Sequence, residues 1–412
     1  MQKKKSKTLK QHILLIGIGN ALSKIMMFAA SIFIANKLLE EGNGAVGTAF
    51  VIVNYLYLLV FAGVETVATR DTAGADAKTL RGFTGELLLI RSVAAVLLFS
   101  FTWIAGSYIP GLTGRMVQLY ALSIIPQAFN LVNLYYGVEW SWPVAIYFVG
   151  GRIIYLSILL LNVKGIEDAG WVPLAFAVAI FAENIFLLIL WLKKHGAKIY
   201  KGFGKFFLKR WEAALPVTFS IAFLVMHENS AGVILRFTKG ESAAGYYYAS
   251  YRLVFVAISL TLLLSYIFLS RISSLRKNSP DKVRSFFTKS CLIAFAGGLL
   301  LSVCGTFLAK PIVSLLYKPE YAESGVLLTV AVWQMCIAPV RVLCFQTINA
   351  FHAQVKMLKL IIPGVAISII AVLAGINYYG LLGAVYGTIV GEIIIMTTLF
   401  IFSLRLVPRK FD

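Results

Sequence analysis

Long apolar runs recur along almost the whole chain, and they constrain its fold more than any other feature. Each run has roughly 20 residues with few or no charges, the length that an α-helix needs to cross about 30 Å of hydrocarbon. Alternation of apolar and polar residues, which a membrane β-barrel requires, is absent, so a helical bundle is predicted. We recognise twelve runs, numbered in chain order: 12–36, 44–64, 83–107, 117–137, 143–163, 171–192, 213–236, 245–270, 288–309, 322–345, 357–377 and 380–404.

The composition agrees with this fold class, an all-α polytopic membrane protein of about twelve transmembrane helices. Of the 412 residues, 59% are hydrophobic and only 14% are charged, which is too apolar for a soluble domain. The first apolar run is longer than the core of a signal peptide, so we expect it to stay as the first helix. All four cysteines fall inside runs, so we expect no disulfide set, no metal site and no cofactor.

The distribution of positive charge predicts the orientation. With the N-terminus in the cytoplasm, that side holds 26 of the 38 Lys and Arg residues, and the opposite side holds seven. This positive-inside bias predicts a protein of the cytoplasmic (cell inner) membrane with both termini in the cytoplasm. It also explains most of the net charge of +20 by topology and contact with anionic lipid headgroups, so we expect no nucleic-acid partner.

An internal repeat is visible when the chain is compared with itself at an offset of about 200 residues. KLLEEGNGAVGTA (37–49) and RFTKGESAAGYYYA (236–249) share a Glu four residues before a Gly. The repeat predicts two parallel six-helix lobes, pseudo-symmetric around a central cavity, although apolar segments can also match by chance. The predicted boundaries are an N-terminal lobe at 1–192, a basic cytoplasmic linker at 193–212 and a C-terminal lobe at 213–412.

Five basic residues inside the runs belong to neither side of the membrane, and a charge costs about 2.5–3.5 kcal/mol at mid-bilayer. Lys24, Arg91, Arg152 and Arg252 lie deep, and Arg341 lies near enough to the cytoplasmic end of run ten to snorkel. Pairing with acids on other helices is one explanation for the deep cations. Their excess over the deep acids favours another, a cavity for an anionic cargo such as a phosphate or pyrophosphate group.

Three deep acids, Glu183, Glu228 and Glu392, lie in runs six, seven and twelve. His227 shares a helix face with Glu228, which suggests a proton or cation site. A structural role as hydrogen-bonded contacts between helices is equally compatible with these residues. A zinc motif H-E-x-x-H is excluded, because the position of its second histidine, 231, is occupied by Ala231.

Three segments resemble the Wzx-like lipid-linked oligosaccharide flippases, the polysaccharide-exporter branch of the multidrug/oligosaccharidyl-lipid/polysaccharide (MOP) superfamily. The first is ASIFIANKLLEEGNGAVGTAFVIVNYLYLLVFAGVETVATRDTA (30–73), with a Glu-x-x-Gly loop after the first helix. The second and third are AAGYYYASYRLVFVAISL (243–260) and AKPIVSLLYKPEYAESGVLL (309–328). One departure is Asn-Lys at 36–37, where the family commonly has Ala-Arg.

The resemblance implies a flippase, not an enzyme, that moves an undecaprenyl-pyrophosphate-linked oligosaccharide across the cytoplasmic membrane by alternating access, for O-antigen, capsule or similar polysaccharides. It implies that the deep cations bind the cargo, that the deep acids and His227 couple transport to protons or sodium, and that Tyr55, Trp140 and Tyr251 stack on sugars. Its partners would be the lipid-linked oligosaccharide, membrane lipids, the coupling ion and other polysaccharide-assembly membrane proteins.

Two other functions remain open at this point. A cation-coupled multidrug exporter of the same superfamily would share the architecture, but cationic drugs favour an acidic cavity. A membrane-embedded glycan polymerase or ligase would need catalytic groups in a sizeable external loop, and the longest external loop has roughly a dozen residues.

Overall fold

The computed structural model describes the backbone of residues 2–61, 69, 72, 74–198 and 203–407, and within these ranges the protein is helical and contains no strand. The helices are α1 (Gln2–Phe61), α2 (Ala77–Tyr108), α3 (Gly111–Ala121), α4 (Ile124–Gln127), α5 (Val132–Gly137), α6 (Ser141–Asn162), α7 (Trp171–Lys194), α8 (Phe203–Lys239), α9 (Glu241–Asn278), α10 (Pro280–Leu316), α11 (Ala322–Ala331), α12 (Gln334–Ala350) and α13 (Gln354–Leu406). Short 3₁₀ turns at Ile166–Asp168 and Pro319–Tyr321 precede α7 and α11.

Within the described part of the chain, seven helices are long and apolar enough to cross a membrane, or eight if the bent pair formed by α11 and α12 counts as one. Two of these helices each contain two of the predicted runs. The chain reverses inside α1 at Leu39 and inside α13 at Gly380, where the backbone leaves the helical region. Run four is the least regular, because it is divided among α3, α4 and α5.

The backbone interruptions recur at corresponding places in the two halves of the chain. Leu39 (φ 56°, ψ −171°) precedes Glu40, and Gly240 (φ 96°, ψ 179°) precedes Glu241, the two glutamates that the sequence repeat pairs. A later pair has positive φ in both halves, at Glu139 before α6 and at His352 before α13. The spans between these points are also interrupted alike, at 122–123 and at 332–333.

The chain divides into two compact units, Met1–Thr218 and Phe219–Asp412. Each has its own buried apolar clusters. In lipid the hydrophobic effect does little to bring helices together, so close van der Waals contact between small residues matters more. In the C-terminal unit, the two arms of α13 touch at Gly375 and Gly383, where a Cβ on either residue would overlap the other's backbone.

A polar residue outside the membrane defines where α2 begins. α2 starts after Asp76, whose Oδ1 accepts a hydrogen bond from the Thr79 backbone N–H at 3.0 Å. The hydrogen bonds from Thr79 lower the pKa of the exposed Asp76 carboxyl. This cap fixes the start of the helix that carries Arg91.

Candidate functional site

The C-terminal unit contains a buried ionic cluster centred on Arg341 of α12. Its Nε lies 2.6 Å from Glu392 Oε1 on α13, and its Nη2 lies 2.5 Å from Glu228 Oε1 on α8. The side chains of Arg341 and Glu392 are 6% and 2% exposed, whereas Glu228 is 24% exposed. One guanidinium therefore joins three helices by binding two carboxylates, the geometry in which charge-assisted hydrogen bonds are strong.

His227 completes this cluster from α8. Its Nε2 lies 2.9 Å from the second oxygen of Glu392, and its Nδ1 lies 2.8 Å from the Ser368 hydroxyl. The imidazole reaches both because α13 is close at Gly391, where a Cβ would overlap Ser368 and press against the ring. With two carboxylates and one guanidinium, the cluster is electrically neutral when it also holds one proton, and His227 is a residue that can carry it.

Two stacked tyrosines also lie beside this cluster. Tyr247 and Tyr251 stack with ring centroids 5.5 Å apart, and both are buried. Tyr251 acts electrostatically on Glu228, Glu392 and Arg341. The cluster is therefore enclosed on that side by aromatic rings, and Glu228 is its most exposed charged member.

The structure brings together three of the four residues predicted for ion coupling, but not as the sequence suggested. His227 and Glu228 are neighbours on α8, yet His227 binds Glu392 and Glu228 binds Arg341. The expectation that Arg341 snorkels to the membrane surface is wrong, because the residue is 5% exposed and bound to two acids. Sequence reasoning missed Arg341 as a member of this cluster, because its acid partners lie on other helices, 113 and 51 residues away along the chain.

The fourth predicted acid, Glu183 on α7, lies in the N-terminal unit and has different surroundings. The residue is 3% exposed and forms no ion pair with the residues that the structure describes, and the Tyr147 hydroxyl is the hydrogen-bonding neighbour of its carboxylate. The carboxylate fits against α6 only because residue 151 is Gly, since a Cβ there would overlap it. Arg152, the next residue on α6, acts electrostatically on Glu183.

Several polar side chains gather around this pair. Arg152 Nε donates to the Ser23 hydroxyl at 3.2 Å, while its Nη1 is buried with no partner in the described part of the chain. The Tyr147 hydroxyl lies beside Glu183 and accepts a hydrogen bond from Asn130 Nδ2 at 3.0 Å. The N-terminal unit thus contains a buried polar site whose acid and base are not locked together by hydrogen bonds.

The other predicted cargo-binding cations occupy three different environments. Arg91 is 1% exposed, and its Nη1 donates to the Asn130 main-chain carbonyl at 2.6 Å, which supports the break between α4 and α5. Lys24 is exposed and follows Ser23, the partner of Arg152. Arg252 is half-buried on α9 and acts on Tyr317. Of these three cations, Lys24 is the sequence neighbour of Ser23, whose hydroxyl binds Arg152 beside Glu183.

Trp140 lies in a cluster at the end of α7 that is predicted to be cytoplasmic. Lys194 Nζ lies 3.8 Å from the centre of its ring, and the ring packs against Tyr135, Trp142 and His195. Burial, together with the charge of Lys194, lowers the pKa of His195. These contacts occupy much of the indole, so its predicted stacking on sugar stays a prediction.

Comparisons with known proteins identify the fold. No protein-family profile matches the chain, and neither does any curated protein sequence. Among solved structures, an inward-facing multidrug resistance transporter of the MATE family in the MOP superfamily aligns with a TM-score of 0.75 at 14% identity, over 93% of this chain and 94% of that one. An outward-facing one aligns at 0.65 and 15%, covering 97% and 95%.

A third solved structure, a MOP-superfamily transporter from Pyrococcus furiosus, aligns with a TM-score of 0.65 at 15% identity, over 97% of this chain and 95% of that one. At such identities the likeness concerns the fold alone. The protein therefore has the all-α polytopic fold of MOP-superfamily transporters.

Proposed function

We propose that the protein is a flippase that moves an undecaprenyl-pyrophosphate-linked oligosaccharide repeat unit across the cytoplasmic membrane by alternating access. The observation that carries the proposal is that the buried charged residues have different partners in the two units. In the C-terminal unit, Glu228 and Glu392 are both bound to Arg341, so they are poorly placed to attract a cationic drug. In the N-terminal unit, a nitrogen of Arg152 has no hydrogen-bond partner within the described residues, which suits an anionic cargo.

The charge of the binding site is a reasonable guide to the cargo within this fold. The Pyrococcus furiosus transporter is described as having a binding pocket of reverse polarity that suggests a different function. A pyrophosphate group needs cations, and Arg binds phosphate oxygens with two parallel hydrogen bonds. We assign the cargo's pyrophosphate to Arg152 and Lys24, with Arg252 and Arg91 as further cations of the same interior.

We assign ion coupling first to Glu183. A coupling residue must exchange a proton or a cation during each transport cycle, and an ionised carboxylate without partners is costly in a low-dielectric interior. Glu183 therefore must hold a proton or face a cation, and Arg152 lies within electrostatic range to serve as that cation. Glu392 already has two partners, so its exchange would require the cluster to break.

A multidrug exporter is the second candidate, because two of the solved structures that align with the chain are multidrug resistance transporters. That function predicts free acidic charge at the drug site, whereas Glu228 and Glu392 in the C-terminal unit are both bound to Arg341. A glycan polymerase or ligase has no specific observation in its favour.

The test is transport of a lipid-linked oligosaccharide in proteoliposomes. We expect Arg152→Ala to lower the initial rate at least about tenfold, since the variant loses a cation that binds pyrophosphate. Lys164→Ala is the matched control, because Lys164 is exposed in the loop before α7, and it should transport at the wild-type rate. Unchanged transport by Arg152→Ala, or transport of cationic drugs but not of the lipid-linked oligosaccharide by the wild type, would contradict the proposal.

A further inference from the structure

A large apolar groove lies within the C-terminal unit, and none of its lining residues belongs to the ionic cluster. It has a volume of ≈ 570 Å³ and is formed by α9, α10 and α12. Its lining is apolar except for Arg271 of α9 and Ser290 of α10. The volume is in the range of small-molecule sites, and the lining indicates a ligand that is almost entirely hydrocarbon.

The groove exists because of two adjacent glycines on α10. At Gly298 a Cβ would collide with the main chain of Met335, so α10 and α12 are in close contact there. At Gly297 a Cβ would meet nothing within 4 Å, which leaves open space beside that contact. Pro339 lies within α12 and contributes to the opposite wall.

The groove is accessible from the side that faces lipid. Ile267 and Ile293, which line its edges, are 68% and 72% exposed. Large apolar side chains with such exposure on membrane-spanning helices face hydrocarbon, so a lipid chain can enter laterally. On α9 the outermost lining residues are Ala257 and Arg271, which lie about 21 Å apart at 1.5 Å per residue, more than half of the hydrocarbon core.

One end of the groove is positively charged. Arg271 lies at the end of α9 that is predicted to be cytoplasmic, beside the stacked rings of Phe268 and Phe286. The segment 271–289 contains six Lys and Arg residues and one acid, Asp281.

Two of these cations are already engaged. Arg276 and Arg284 donate to the main-chain carbonyls of Ala350 and Leu404. Arg271 is exposed and forms no ion pair with the described residues, so it can bind an anion in the headgroup region.

We propose that this groove binds an anionic phospholipid of the membrane, with one acyl chain along α9 and α10 and the phosphate at Arg271. An apolar groove of more than leaflet length with a cation at its cytoplasmic end matches that ligand in both shape and charge. The proposal does not depend on the identity of the transported cargo. It assigns to the C-terminal unit a lipid site distinct from the charged residues of the proposed transport pathway.

The test measures lipid binding by native mass spectrometry of the purified, delipidated protein titrated with phosphatidylglycerol or phosphatidylcholine. We expect tighter binding of phosphatidylglycerol, and Arg271→Ala should weaken that binding about fivefold, the effect of one cation near a membrane surface. Gly297→Trp should fill the groove and remove the bound lipid. Leu300→Trp, on the lipid-exposed side of the same helix and outside the groove, is the matched control and should bind as the wild type does.

Gly297→Leu serves as a smaller obstruction if the Trp variant does not fold. Equal binding of both phospholipids, or equal loss of lipid in Gly297→Leu and Leu300→Trp, would overturn the proposal. Displacement of phosphatidylglycerol by a polyprenyl phosphate at equimolar concentration would overturn the assignment to a phospholipid and identify the groove as a site for the cargo's tail.

Discussion

Glu183 and Glu392 occupy comparable positions in the two units but have opposite surroundings. They lie in runs six and twelve, each twelve residues after a structural start point, Trp171 for α7 and Gly380 for the second arm of α13. Glu392 is bound by Arg341 and His227, whereas Glu183 forms no ion pair with the described residues and has the Tyr147 hydroxyl beside it.

The two units share backbone features that their polar sites do not share. The positive φ values at Leu39 and Gly240, and those at Glu139 and His352, place chain reversals at matching points. A repeated backbone therefore carries two different electrostatic arrangements. The difference teaches that a buried acid's place in the repeat does not determine its surroundings: Glu392 is bound by partners on two other helices, and Glu183 forms no ion pair with the described residues.

Removal of the central guanidinium should have the largest effect on stability. Arg341→Ala leaves Glu228 and Glu392 buried without their shared cation, and we expect a loss of about 3–5 kcal/mol in the free energy of unfolding. Chemical denaturation in detergent micelles measures this loss. Arg115→Ala, at an exposed position on α3, is the control and should change stability by less than about 0.5 kcal/mol. Wild-type stability of Arg341→Ala would show that the cluster does not hold the unit together.

Replacement by glutamine should change the stability of the protein differently at Glu392 and at Glu183. Glu392→Gln removes a charge bound by Arg341 and His227, so we expect a loss of about 3 kcal/mol in stability. Glu183→Gln keeps the shape of the side chain, breaks no ion pair of the described residues and can still bond the Tyr147 hydroxyl, so its stability should stay within about 1 kcal/mol of the wild type. Equal destabilisation of both variants would break the comparison between the units.

The smallest expected effects on stability come from substitutions at Leu39 and Gly240, the paired positions of positive φ. Leu39 has backbone angles that favour glycine, so Leu39→Gly should be neutral or stabilising by up to about 1 kcal/mol. Gly240→Ala should destabilise by about 1 kcal/mol through the backbone alone, because a Cβ at Gly240 meets no atom within 4 Å. Thermal melts of both variants check the signs, and destabilisation by Leu39→Gly would show that the leucine side chain matters more than the strain.

Sequence reasoning located the membrane-spanning helices well, because hydrocarbon imposes a minimum length of apolar residues that is readable in any window. It located Glu183, Glu228 and Glu392 because a charge stands out in an apolar run, but it did not predict that Glu86 on α2 is as buried as Glu183, at 3% exposed. It did not find the break of run four into three helices, where turn residues such as Ser123 and Asn130 interrupt an otherwise apolar segment.

The partners of the charged residues could not be predicted from local pattern. Glu392 is 165 residues from His227 and 51 from Arg341 along the chain, and only the packing of α8, α12 and α13 brings them together. Arg341 lies close enough to a span end to snorkel, but the acids on neighbouring helices draw it inward. The sequence also did not predict the apolar groove, because an apolar residue that lines the groove cannot be distinguished in sequence from one that faces lipid.

The most direct test of the central claim is the dependence of transport on a pH or sodium gradient in proteoliposomes that contain Glu183→Gln or Glu392→Gln. We predict that Glu183→Gln stays folded and loses the response to the gradient, because the amide cannot exchange a proton. The folded fraction of Glu392→Gln should keep the wild-type response. A normal response in Glu183→Gln, or a lost response in stably folded Glu392→Gln, would contradict the assignment of coupling to the N-terminal unit.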